Sequence, residues 1–167
     1  RSIVREGRYD APAAFAAYQE WLRSRPFDCG HTTKMGLQGL PNRGSQANGS
    51  LMRVSPIGVW AAGDPSRAAR AAREDSALTH PHATCQEACA GFAAALAAGI
   101  AGASRDDMVA AALAHATGPA RDAIARAAAG EPVADFQTQQ GWCSSRCRTP
   151  SISSRARRAR RRASSPL

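Results

Sequence analysis

The sequence predicts an all-α fold, on three observations. Hydrophobic residues make up 44% of the chain but aromatic ones only 5%, and alanine runs such as Ala93-Ala94-Ala95 and Ala110-Ala111-Ala112 supply much of the apolar content. Alanine has the highest helix propensity and little bulk, which favours closely packed helices. Capping residues and prolines stand where helices should begin, and no alternating apolar–polar run of convincing strand length appears.

Each element has a local cause. Asp10 can cap a helix that runs to about Ser24, with Pro12 in its first turn and Phe15, Tyr18 and Leu22 on one face. Pro26 ends it. A short loop then feeds a short helix over about 34–38. Residues 39–50, rich in Gly, Asn, Pro and Ser, read as a loop. A helix is expected from near Ser50, carrying Leu51, Val54 and Val59 despite Pro56. Asp64-Pro65 opens the next, to about Ala77. After Thr79-His80-Pro81-His82 a long helix covers about 83–98, with Cys85, Ala88, Phe92 and Leu96 inward and Gly99 as its stop. Ser104 and Asp107 form a capping box for a helix to about Ala116, and Gly118-Pro119 starts a last one ending at Gly130.

The net charge of +9 suggests a nucleic-acid partner, but its position argues otherwise. Eight of the 22 basic residues fall in 143–167, which holds no acidic residue; the other 14 face all 13 acidic ones in 1–142. The body is nearly neutral and the tail carries the charge. No stretch approaches the ~20 apolar residues of a membrane span, and a membrane partner is not expected. Arg1 follows no signal-peptide pattern, and the chain is expected to begin mid-protein. The odd count of five cysteines does not form a secreted disulfide framework, so a reducing, cytoplasmic setting is expected.

The informative stretch is Asn48-Gly49-Ser50-Leu51-Met52-Arg53, followed about 30 residues on by Leu78-Thr79-His80-Pro81-His82. Asn-Gly-Ser at the mouth of a helix offers free amides and the positive end of the helix dipole, which suits an anion such as a pyrophosphate. Gly49 lets a ligand approach the backbone. The bland alternative is a capped helix after a turn. His80 and His82 flank a proline between helices, where a histidine serves equally well as a cap.

Five pieces of the sequence resemble the ADP-ribosylglycohydrolase family, in the family's order. They are 18–22, the Pro26-Phe27-Asp28-Cys29-Gly30-His31-Thr32-Thr33 loop, 48–56, the Asp75-Ser76-Ala77-Leu78-Thr79-His80-Pro81-His82 segment and Gln140-Gly141-Trp142. The resemblance covers about 1–142, as an incomplete helical domain. It implies an all-α hydrolase holding two Mg²⁺ ions in a cleft and cleaving the bond between ADP-ribose C1″ and an acceptor side chain. The partners implied are ADP-ribose or an ADP-ribosylated protein. Asn48, Gly49 and Ser50 would lie against the diphosphate, His80 would line the pocket, and Asp28 would stand at the cleft edge.

The same resemblance puts catalysis by this chain in doubt. Glycosidic cleavage needs charge stabilisation at the anomeric carbon and an activated water or carboxylate, and Mg²⁺ needs oxygen ligands in octahedral geometry. The family takes these from a Thr-Asp-Asp-Thr-type motif and an Asp-x-Asp-Thr motif, and neither occurs here. Capping explains Asp106-Asp107 better than metal ligation. No catalytic residue and no bound metal are therefore expected, only an inactive fragment or a metal-free ADP-ribose-binding remnant. The spacing of His80, His82, Cys85 and Cys89 makes zinc conceivable, but two small buried helix residues explain the cysteines more simply.

Residues 143–167 read as an Arg/Ser-rich, disordered tail. With a permitted choice of synonymous codons, the segment Cys143–Ser154 regrouped from the last base of the Trp142 codon gives Val-Leu-Ile-Ala-Leu-Gln-Asn-Ala-Phe-Tyr-Gln-Leu, an apolar helix of the family's kind at this point. A one-nucleotide frameshift is the expected origin. The rival is a genuine arginine-rich arm that binds nucleic acid or acidic partners through charge.

Overall fold

The computed structural model describes residues 2–131 and 141–143. The expected tail, its frameshift origin and any nucleic-acid role of it fall on residues outside these, apart from Cys143. Among the described residues the fold is α-helical, with a single antiparallel bridge between Ala47 and Trp142. In order the helices are α1 (Ser2–Glu6), α2 (Ala11–Arg23), α3 (His31–Leu37), α4 (Ser55–Trp60), α5 (Pro65–Ala77), α6 (Ala83–Ile100), α7 (Arg105–His115) and α8 (Gly118–Ala128).

The caps fall where the sequence puts them. Asp10 accepts from the Ala13 amide at 3.0 Å, Asp64 from Arg67 at 2.8 Å and Ser104 from Asp107 at 3.2 Å. Asp106 and Asp107 lie in the first turn of α7, and the Ser104 hydroxyl also donates to Asp107. His82 is the N-cap of α6, its Nδ1 accepting from the Thr84 amide at 3.2 Å.

The core is built on α6, which packs against α4, α5, α7 and α8. Cys85, Ala88, Cys89, Ala90, Ala93, Ala94 and Ala97 are all fully buried along it. Small side chains on almost every side let four neighbours approach one helix. Against the sequence expectation, α6 is long and apolar enough to cross a membrane by length and composition, and half of it is buried inside this fold. Arg73 of α5 adds a polar tie, forking onto Glu87 of α6 and donating to the carbonyl of His115.

Four expectations need correction, and one helix was not expected. Phe92 is 43% exposed, not inward, because the buried faces of α6 are lined by alanine, glycine and cysteine. Gly99 does not stop α6: Met108 packs against it, and the helix ends one turn-residue later. Gly102, at φ +93°, makes the stop, with its amide on Gly99 O and that of Ala103 on Ala98 O. The helix expected from Ser50 starts only at Ser55, since residues 49–53 form turns and Pro56 sits at the helix entrance, where its missing N–H costs nothing. α3 begins three residues earlier than expected, at His31, and the sequence reading misses α1 altogether.

Candidate functional site

The Asn48–Arg53 turns, the α2–α3 loop and the α5–α6 connection meet at a cleft of about 510 Å³. Asn48, Gly49, His80 and Asp28 all line it. Trp21 and Met52, both largely exposed, add apolar surface. Thr32 Oγ1 and Ser45 Oγ, 3.0 Å apart, hold the start of α3 to the segment ahead of Asn48. From the other side, the Asn48 amide donates to Gly141 O at 2.8 Å, and Cys143 N donates to Gln46 O at 3.0 Å. Cys143 itself is fully buried with Cys85, Ala88 and Ala120.

Ser50 does not line the cleft. It is fully buried, and its Oγ accepts from Ser76 Oγ at 2.9 Å and from Cys89 Sγ at 3.5 Å. Burial pushes the Cys89 thiol up to about 11, so it stays protonated and donates. The helix expected at Ser50 does not begin there: Asn48-Gly49-Ser50 precedes a six-residue helix by several residues, and the Met52 amide donates to Asn48 O at 3.0 Å.

Close packing on His80 shapes this turn. A methyl group added to Gly49 would stand 2.6 Å from Thr33 Oγ1 and 3.0 Å from both Cε1 and Nε2 of His80. Only glycine lets this turn lie on the ring. Gly36 of α3 does the same to the next residue: a methyl there would be 2.6 Å from Thr79 Cα. The Thr79-His80 peptide is thus held between α3 and the Asn48 turn.

Behind the cleft lies a buried polar cluster to which the sequence analysis gives no role. Asp75 is 1% exposed. Its Oδ2 takes Arg53 Nε at 2.9 Å, and its Oδ1 takes the hydroxyls of Tyr18 at 2.8 Å and Tyr9 at 3.3 Å. Arg53 Nη2 donates to Asp75 O and Nη1 to Thr79 Oγ1, each at 2.7 Å, while its guanidinium lies 4.7 Å from the Tyr18 ring centre. Burial and the Asp75 charge push both phenols up, so they remain donors. Burial alone would pull Arg53 down; the Asp75 carboxylate reverses this and raises it. Arg53, Asp75, Thr79 and Tyr18 stand inside the resembling segments, but nothing in spacing alone marks them as one cluster.

His80 is fully buried. Burial, and then the Arg53 charge, push its imidazole down to about 4, so the ring is neutral at ordinary pH. Its Nδ1 lies 2.7 Å from Thr79 Oγ1, and its Nε2 has no hydrogen-bond partner among the described residues. A buried polar atom in that state is costly, and native proteins keep few of them.

Among the described residues, no three His, Cys, Asp or Glu side chains come together to hold a metal. Asp28, exposed at the rim, is the one carboxylate among the described residues lining the cleft. That donor set does not fit a pair of Mg²⁺ ions. The zinc spacing does not converge either: His82 caps α6, Cys85 Sγ lies 3.5 Å from Ala47 O, and Cys89 donates to Ser50.

Comparison with known proteins places these features in a family. The family described as ADP-ribosylglycohydrolase matches the chain over residues 1–155, past Trp142. ADP-ribosyl-(dinitrogen reductase) glycohydrolase of Rhodospirillum rubrum is 26% identical over 98 residues, covering 53% of this chain and 33% of that protein. A protein of Acanthamoeba polyphaga mimivirus named as an ADP-ribosyl glycohydrolase is 40% identical over 65 residues, covering 32% of this chain and 20% of its own length. No solved structure matches. The chain spans about a third or less of the length of the curated relatives it matches. With the family match covering nearly all of its residues and the fold helical throughout the described part, the chain belongs to the ADP-ribosylglycohydrolase family.

Proposed function

We propose that the cleft binds the ADP-ribose moiety of a modified protein, as the ligand-holding part of an ADP-ribosylglycohydrolase. The observation that carries this is the meeting of Asn48, Gly49 and His80 on one cleft of about 510 Å³, with a buried His80 nitrogen that lacks a partner among the described residues. That volume suits a small-molecule ligand, for which clefts run from about 300 to 1,000 Å³.

Binding and cleavage separate in this chain. Hydrolysis at C1″ needs an activated water and charge stabilisation at the anomeric carbon. Asp28 is a single exposed carboxylate, and no second one lies within the described cleft to share acid and base roles. In the intact family enzyme two Mg²⁺ ions would polarise the ribose hydroxyls and water; the residues described here do not form that site. The proposed activity of the 167-residue chain is therefore ADP-ribose binding without turnover, in the reducing, cytoplasmic setting expected from its cysteine usage.

Titration calorimetry of the purified chain with ADP-ribose tests the binding half. Saturable binding that weakens on Asn48→Ala supports it, and no heat at ligand concentrations that saturate a full-length relative sinks it. Release of ADP-ribose from a modified protein by the isolated chain contradicts the second half.

A further inference from the structure

The cluster behind the cleft ends on His80. Asp75 fixes Arg53 through Nε and Nη2, and the remaining terminal nitrogen, Nη1, reaches Thr79 Oγ1. A guanidinium only donates, so the Thr79 oxygen must accept from it. Thr79 is fully buried, and its hydroxyl hydrogen needs an acceptor of its own. Among the described residues the other atom bonded to Thr79 Oγ1 is His80 Nδ1, at 2.7 Å. If Nδ1 carried the ring proton, two donors would point at Thr79 and its own hydrogen would have nowhere to go. Satisfying every group leaves Nδ1 as the acceptor and the ring proton on Nε2.

Nε2 lacks a partner among the described residues, and it stands 3.0 Å from where a Gly49 methyl would be. Gly49 and His80 both line the cleft. With no Cβ at Gly49, no side chain of that residue stands against the buried Nε2 at the cleft wall that both residues line. Gly36 of α3, packed on the Thr79 backbone, holds the peptide that sets the ring's position.

We propose that Arg53 and Thr79 are positioning residues: the chain from Asp75 through Arg53 and Thr79 to His80 fixes the Nε2–H tautomer, so that the cleft offers an N–H donor to an acceptor oxygen of its ligand, a phosphate or sugar oxygen. The ligand part of this rests on the ADP-ribose reading above; the tautomer part does not. A donor fixed in this way selects for an oxygen that accepts. It also contributes without changing its own charge, so it favours neutral and anionic oxygens alike.

The experiment is long-range proton–nitrogen NMR of the nitrogen-15-labelled full chain at neutral pH, first without ligand and then with ADP-ribose. The expected result is a protonated Nε2 and an unprotonated Nδ1 at His80, with the Nε2 proton moving downfield when ADP-ribose is added. Thr79→Val should mix the tautomers and weaken ADP-ribose binding about tenfold, the scale of one lost or misdirected hydrogen bond; Thr79→Ser should restore both. A protonated Nδ1 in the unaltered chain overturns the relay whatever the ligand does, and needs no variant to fold. A protonated Nε2 without ADP-ribose binding supports the relay and overturns the ligand assignment. Loss of affinity in Thr79→Val with the tautomer unchanged overturns the positioning role of Thr79.

Discussion

Gly49 lies so close on the ring of His80 that its two hydrogens are all the space between them allows, with a Cβ reaching within 3.0 Å of Nε2. Two segments 31 positions apart in the chain thus make a single wall, and that wall predicts its own sensitivities.

Gly49→Ala should destabilise the fold by about 1–3 kcal/mol, the usual cost of overpacking a tight contact. Thr33 can rotate to relieve its share, which favours the lower end. The imidazole has less room, because Thr79 and Gly36 fix its backbone. Urea denaturation gives the first effect, and calorimetry should show weaker ADP-ribose binding. An alanine variant with unchanged midpoint and affinity contradicts the packing described.

The depressed His80 ionisation makes stability depend on pH. Its value in the fold is about 4 against 6.5 in the ordinary state. Between these the unfolded chain takes up a proton that the folded one does not, so stability falls as pH drops from about 6.5 to about 4 and this contribution levels off below. The full loss is on the order of 3 kcal/mol. His80→Gln should remove that part of the slope. Denaturation midpoints of the two proteins across this range should converge towards low pH, and parallel curves count against a buried neutral histidine.

Asp75→Asn should cost about 3–5 kcal/mol, because it strands the Arg53 cation in the interior. The Tyr18 and Tyr9 hydroxyls keep an acceptor in the new amide, so they do not add much to the loss. Chemical denaturation measures this directly. A loss below about 1 kcal/mol would mean that Arg53 finds water instead.

Ser50→Ala and Asn48→Ala should separate stability from binding. Ser50 is interior, and its hydroxyl accepts from Ser76 and Cys89. Removing it leaves buried donors short of a partner, at about 1–3 kcal/mol, with ADP-ribose affinity little changed. Asn48 lines the cleft, and its replacement should lower affinity. Equal affinity losses in both variants would place Ser50 in the ligand wall after all.

Adding Mg²⁺ should leave the ADP-ribose affinity of this chain unchanged, since Asp28 alone offers a carboxylate to the cleft among the described residues. Calorimetry with and without the metal decides it, and a marked gain in affinity would show that ligands are supplied from elsewhere in the chain.

The helices at Asp10, Asp64 and Ser104 were legible because a cap is a local event: one side chain, one amide, three residues apart. The long α6 was legible in extent but not in orientation. Its apolar residues are nearly all small, so periodicity could not separate an inward Phe92 from an outward one. The meeting of Asn48, Gly49, His80 and Asp28 followed from the family resemblance, and the cleft brings those four together. The Asp75–Arg53–Thr79 cluster was not legible, because it joins residues 22 and 26 positions apart whose partnership depends on how α5 settles against the Asn48 turns. The burial of Ser50 away from the cleft lining was not legible for a related reason: adjacent residues in a turn point to different sides, and the sequence does not say which side faces the cleft.

The pairing of Ala47 with Trp142 bears on assembly during synthesis. The strip that backs the ligand wall joins positions almost a hundred apart, Cys143 reaching Ala47 across 96. Helices α5 to α8 can form and dock as they leave the ribosome, each beside an earlier helix. The cleft cannot reach its final outline until the Gly141–Cys143 strip returns to its start, so a nascent chain stalled before Gly141 would already hold a helical core and still lack a finished cleft wall.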